Sequence, residues 1–175
     1  ALFKLRHYIE GQTASTSFGS ATTGSSIKCF TTWRLITHGT WTGTLKIQKS
    51  TDGGTTWTVL RTFTSVADFN ANTSGTEDLE LNQTPFLIRA NMTSYTSGTA
   101  NVDLTSDPFY QDGICRITSW NSNTSVQANV LQEIGSTSAT VSWFEGSWSD
   151  YRGYPAVARF YKDRLTFAST PSEPQ

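Results

Sequence analysis

The run Trp41-Thr42-Gly43-Thr44-Leu45-Lys46-Ile47-Gln48-Lys49, with Ser50-Thr51-Asp52-Gly53-Gly54-Thr55-Thr56 and Trp57-Thr58-Val59-Leu60-Arg61-Thr62-Phe63 behind it, decides the fold class. Its first segment alternates, so Trp41, Leu45 and Ile47 are expected on a buried face and Lys46 and Gln48 in water. Asp52-Gly53-Gly54 tolerates positive φ, and a hairpin with a turn longer than the two-residue type is expected there. At period two, Trp57 is expected to face the core together with Trp41.

Composition supports an all-β reading. About 50 of the 175 residues are Ser or Thr; threonine is β-branched and suits a pleated, half-wet surface better than a helix. Helix formers are scarce, with a single Met and no long Ala/Leu-rich stretch, while six Trp, six Tyr and ten Phe supply apolar area for a β core. Thirteen Lys and Arg against 14 Asp and Glu give a net charge of -1. That balance argues against a nucleic-acid binder, which normally shows a basic face. No apolar run reaches the length of a membrane span. The chain opens with no leader-like segment, inside a strand-like run at Ala1, and stops at Pro174-Gln175, which predicts a piece of a longer protein.

Further strands are expected over residues 2–9 and 27–37, with 13–26 either a loop or a Ser/Thr-rich edge strand. Three more are expected at about 76–81, 86–93 and 100–104. Their spacing predicts an antiparallel β-sandwich, Ig-like or jelly-roll-like, of seven or eight strands over residues 1–106. Ser106-Asp107-Pro108 reads as a boundary. A small β unit is expected over 107–144, with strands at 113–120, 125–131 and 138–143. Residues 145–175 form an aromatic and Arg-rich segment, read as a strand pair, 156–161 and 164–168, about a turn at Lys162-Asp163.

Cys29 and Cys115 are too few for a disulfide scaffold and lack CxxC spacing; free thiols are expected, although one bridge stays open. His7 and His38 are the only imidazoles. They show no zinc spacing, and no G-x-S-x-G elbow accompanies them. Glu77, Asp78 and Glu80 lie close together, but Asp78 and Glu80 on a strand share a solvated face. No catalytic residue, metal or cofactor is expected. Four N-x-[ST] triplets, at Asn72, Asn82, Asn91 and Asn123, are read as the chance yield of an Asn/Ser/Thr-rich chain. Trp33, Trp41 and Trp120 are candidates for a glycan platform, since sugar rings stack on exposed aromatics; core positions are the competing reading.

Ser50, Asp52, Gly54, Thr56 and Trp57 match the pattern S-x-D-x-G-x-T-W. It resembles the Asp-box of sialidase propellers, which implies a structural turn in which the carboxylate binds backbone N–H groups and the indole staples the hairpin. One copy is present, without the arginine cluster and acid partners a sialidase would need.

The segment Trp143-Phe144-Glu145-Gly146-Ser147-Trp148-Ser149-Asp150-Tyr151-Arg152-Gly153-Tyr154-Pro155 runs on through Val157, Arg159, Phe160, Asp163-Arg164-Leu165 and Phe167-Ala168. It resembles a signature, W-x-E-G-x-W-S-x-x-R-G-Y-P-x-x-V-x-F-x-x-D-R-L-x-F-A, of structural proteins from bacteriophage and prophage tails, the tail tubular or nozzle-type components of short-tailed phages. Ala158 and Ser169 depart from it. The resemblance implies a non-catalytic, ring-forming virion protein with a propeller-like β body, assembled in the bacterial cytoplasm with other virion proteins and with copies of itself. It makes Trp148, Tyr151, Arg152, Gly153, Tyr154, Pro155 and Arg164 a candidate subunit-contact motif, packing within the chain being the other reading. Contact with a host-surface glycan is a further implication. The alternative from another class is a carbohydrate-binding β-sandwich module of a secreted or cell-surface protein.

Overall fold

The structure, a computed structural model, describes residues 1–65, 73–78, 84–146, 148–149 and 152–168. It is all-β, with sheets paired antiparallel, and it divides into two units: Glu10–Phe109, and Ala1–Ile9 together with Tyr110–Gln175.

The Glu10–Phe109 unit is a two-sheet sandwich. Its strands are β2 (Thr13–Phe18), β3 (Thr23–Cys29), β4 (Thr32–His38), β5 (Trp41–Ser50), β6 (Thr58–Ser65), β7 (Thr73–Asp78), β8 (Phe86–Gly98) and β9 (Ala100–Ser106). One sheet has the order β2-β9-β4-β7 and the other β3-β8-β5-β6. Alternation puts Ile27, Cys29, Trp33, Leu35, Trp41, Leu45, Ile47, Phe86, Ile88, Met92, Val102 and Leu104 into one core between the sheets. The Ser/Thr-rich stretch supplies two strands, β2 and β3, rather than a loop.

Two expectations change here for identifiable reasons. Residues 27–37 are two strands: the chain turns at Phe30-Thr31, so that β3 pairs with β8 in one sheet and β4 with β7 and β9 in the other. Odd-numbered residues face the core on both sides of this corner, so the alternation runs through it unbroken. Trp57 does not join the core. A bulge on β6 leaves Leu60 without an opposite residue on β5, with Ile47 opposite Arg61 and Gln48 opposite Val59. That extra residue inverts the phase and sends Trp57 to the outer face. There Arg89 lies 3.8 Å over its ring.

The other unit contains β1 (Leu2–Ile9), β10 (Phe109–Ser122), β11 (Ser125–Gln132) and β12 (Trp143–Glu145) in the order β11-β10-β1-β12. β1 therefore belongs here and not to the sandwich over 1–106. The sandwich is inserted in the chain between β1 and β10. Residues 138–142 are not a strand. They run alongside β1, with the His7 Nε2–H donating to the Ser138 carbonyl at 3.0 Å and the Thr140 hydroxyl to the Arg6 carbonyl at 2.7 Å. A hairpin of β13 (Val157–Tyr161) and β14 (Arg164–Ala168) forms its own two-stranded sheet. Lys162 and Asp163 take φ of 48° and 60°, the type I′ geometry that suits strand twist.

Candidate functional site

The Asp-box turn shows where its chemistry goes. The Asp52 carboxylate accepts the backbone N–H groups of Thr55 (3.0 Å) and Thr56 (2.9 Å) and the hydroxyls of Thr56 (2.5 Å) and Ser50 (2.7 Å). Ser50 Oγ in turn accepts the Gly54 N–H at 2.8 Å, and the Trp57 indole N–H donates to the Gly54 carbonyl at 2.9 Å. Gly53 and Gly54, at φ of 70° and 95°, let the chain close around the carboxylate. These bonds, led by the Thr56 hydroxyl, hold the carboxyl well below the usual carboxylate range. A depressed folded-state pKa contributes stability above the unfolded value of about 3.9, lost as pH falls through the folded one. In an acid titration followed by amide NMR, the Thr55 and Thr56 N–H signals are expected to hold their positions through pH 4. They move only at lower pH, and Asp52→Asn removes that acid transition.

The aromatic-rich segment is closed by a local clasp. Ser149 and Gly153 form a β-bridge, with the Gly153 N–H donating to the Ser149 carbonyl at 2.6 Å. Glu145 accepts the Ser149 hydroxyl at 3.0 Å and Arg152 Nε–H at 2.9 Å. Arg152, first, and Ser149 hold the Glu145 carboxyl below its ordinary value. Of the candidate contact motif, Arg152 and Gly153 thus work within the chain. Trp148 meets Phe167 edge-on at 4.6 Å between ring centres. Tyr154 and Arg164 are exposed and Pro155 half-buried, while Tyr151 lies outside the described residues. The cross-strand pairs Ala158–Phe167 and Phe160–Leu165 put four apolar side chains on one face of the hairpin. Phe160 is 74% exposed, and Leu165 and Phe167 are exposed as well.

The glycan-platform expectation fails for two of its three residues. Trp33 and Trp41 are 0% and 2% exposed, because period two turns both inward. Trp120, on β10 opposite Val126, is 69% exposed.

A polar hollow of about 270 Å³, not expected from the sequence, lies on the outer face of the sandwich, where β2, β9 and β4 run side by side. The Ser15 hydroxyl donates to Asp103 Oδ1 at 2.5 Å, the Ser17 hydroxyl donates to Asn101 Oδ1 at 2.7 Å, and His38 Nε2 lies 3.3 Å from Asp103 Oδ2. A Ser, an Asp and a His meet here with the carboxylate in the middle. The serine proton therefore goes to Asp103 and not to an imidazole, unlike a nucleophile–base relay. No local signal marks these residues: they sit at alternate positions of three strands, and only the register Ser15–Asp103, Ser17–Asn101 and His38–Asn101 brings them together.

Among the described residues no three His, Cys, Asp or Glu side chains gather as a metal site. Cys29 and Cys115 are free, and burial pushes the Cys29 thiol up to about 11. His7 is buried beside Gly135. Glu80, Asn72 and Asn82 lie outside the described residues, and among the described residues no helix is long and apolar enough to cross a membrane. No protein family, curated protein or solved structure matches the chain.

Proposed function

We propose that this chain is a non-catalytic structural component of a bacteriophage or prophage tail, acting through assembly with other virion proteins and with copies of itself. The observation that carries the reading is the β13–β14 hairpin. A two-stranded hairpin is marginal in water, and this one holds Phe160, Leu165 and Phe167 exposed on a single face. Such a face suits a strand pair completed by a larger β body, which is what the resemblance of residues 143–168 implies. The Glu145–Ser149–Arg152 clasp fixes the turn leading into the hairpin, so the signature residues serve to present it. The tight Asp52 turn and the buried Trp33 and Trp41 agree with a structural module rather than an aromatic sugar platform. A carbohydrate-binding module remains the second reading, supported by the exposure of Trp120.

Immunogold electron microscopy on particles released from an induced culture of the source organism tests the proposal. Gold is expected on the tails of virus-like particles. Unlabelled particles, with the antigen on cell envelopes or free in the medium, would overturn it.

A further inference from the structure

We infer that the hollow on the β2-β9-β4 face is a binding site for a vicinal diol of a pyranoside sugar. The hydroxyl protons of Ser15 and Ser17 are already donated, to Asp103 and Asn101, so both oxygens have only acceptor lone pairs left to offer. The Asp103 oxygens keep further acceptor capacity, and the Asn101 amide supplies two N–H donors. Donors and acceptors thus alternate across a few ångströms of one sheet face.

The mixture selects the ligand class. An ammonium group brings donors only and leaves the Asn101 N–H groups unmatched. A phosphate or carboxylate brings acceptors only: the Asn101 N–H groups and the His38 ring suit it, but the Asp103 charge and the Ser15 and Ser17 lone pairs oppose it. A hydroxyl is both donor and acceptor, and two adjacent hydroxyls on a ring match two neighbouring positions of opposite polarity. Ile36, opposite Asp103 in the register, is exposed on the same sheet face outside the lining of the hollow. The volume of about 270 Å³ lies at the small end for ligand sites and fits one ring rather than an oligosaccharide. The site lies wholly within the sandwich unit, so it and the tail reading can fail independently.

The test is a titration of the full chain, labelled with nitrogen-15, with methyl glycosides of glucose, galactose, mannose and N-acetylglucosamine, followed by amide NMR. At least one glycoside is expected to shift the amides of residues 15–17, 38 and 101–103, with a dissociation constant on the order of millimolar for so shallow a site. Asp103→Asn and Asn101→Ala, both at surface positions, are expected to weaken that binding by about tenfold or more with the remaining spectrum unchanged. The inference is overturned if no glycoside shifts these amides up to tens of millimolar, or if the shifts gather around Trp120. It is equally overturned if methylammonium or calcium chloride shifts them and no sugar does.

Discussion

Trp33→Ala is expected to cost the sandwich about 3–5 kcal/mol, a large fraction of its stability, while Trp33→Phe stays close to the parent. Trp33 is fully buried in the single core between the sheets, at the strand that β7 and β9 flank. Truncating a buried Trp to Ala costs about 3–5 kcal/mol through lost contacts and the cavity left behind. Whole domains are stable by roughly 5–15 kcal/mol, so one such loss removes much of what there is. Phenylalanine keeps a ring in the site. The Trp33 indole N–H is buried without a hydrogen-bond partner among the described residues, so phenylalanine also removes a donor that costs about 1–3 kcal/mol to bury unpaired. The two effects oppose, and Trp33→Phe should fall within about 1 kcal/mol of the parent. Urea unfolding of the three proteins decides it. Equal losses for the two variants would mean that the N–H contributes a bond the packing account lacks.

Gly98→Ala should be nearly as damaging, although it adds one methyl group. Gly98 ends β8 at φ of 86°, a region that L residues rarely adopt. A Cβ there would overlap the Thr40 carbonyl oxygen and lie 2.8 Å from Trp41 Cα. All the obstructing atoms are backbone, and the Thr99 N–H donates to that same Thr40 carbonyl at 3.0 Å, so the neighbour cannot give way without losing a bond. Strained backbone and overpacking each cost about 1–3 kcal/mol, together a fall of roughly 8 °C or more in the midpoint of thermal unfolding. Gly53→Ala serves as the control. Its φ of 70° is also positive, but no atom lies near the added methyl. A drop for Gly98→Ala no larger than for Gly53→Ala would show that strain alone, and not the collision, sets the cost.

What could be read from the sequence was whatever is local. The alternation of residues 41–47, the Asp52-Gly53-Gly54 turn and the Lys162-Asp163 turn are determined by side chains within a few positions of one another. Pairing between distant segments was not legible. The β3–β4 corner keeps the same inward phase on both sides, so nothing in the pattern announces that the strand changes sheet. The Leu60 bulge inverts the alternation before Trp57, and one unpaired residue leaves no compositional mark. β1 reads as a strand, but its partners β10 and β12 lie more than a hundred residues on. The polar hollow was hidden for the same reason, since Ser15 and Asp103 become neighbours only through register. Conversely, residue type alone makes Trp33 and Trp41 glycan-platform candidates, although their own periodicity assigns them to the interior.

The placement of the sandwich between β1 and β10 makes one order of folding events less costly than the other. Joining Ile9 to Tyr110 directly means closing a loop of about a hundred residues. Once β2 and β9 are zipped, with Thr13 opposite Thr105, only a handful of free residues separate the two ends, and the closure cost falls by about 2 kcal/mol. Folding of the inserted module thus shortens the loop that the β1–β10 pairing has to close. Lesions deep in the sandwich, Trp33→Ala among them, should therefore slow the appearance of the β1–β10 pairing, although they touch none of its residues.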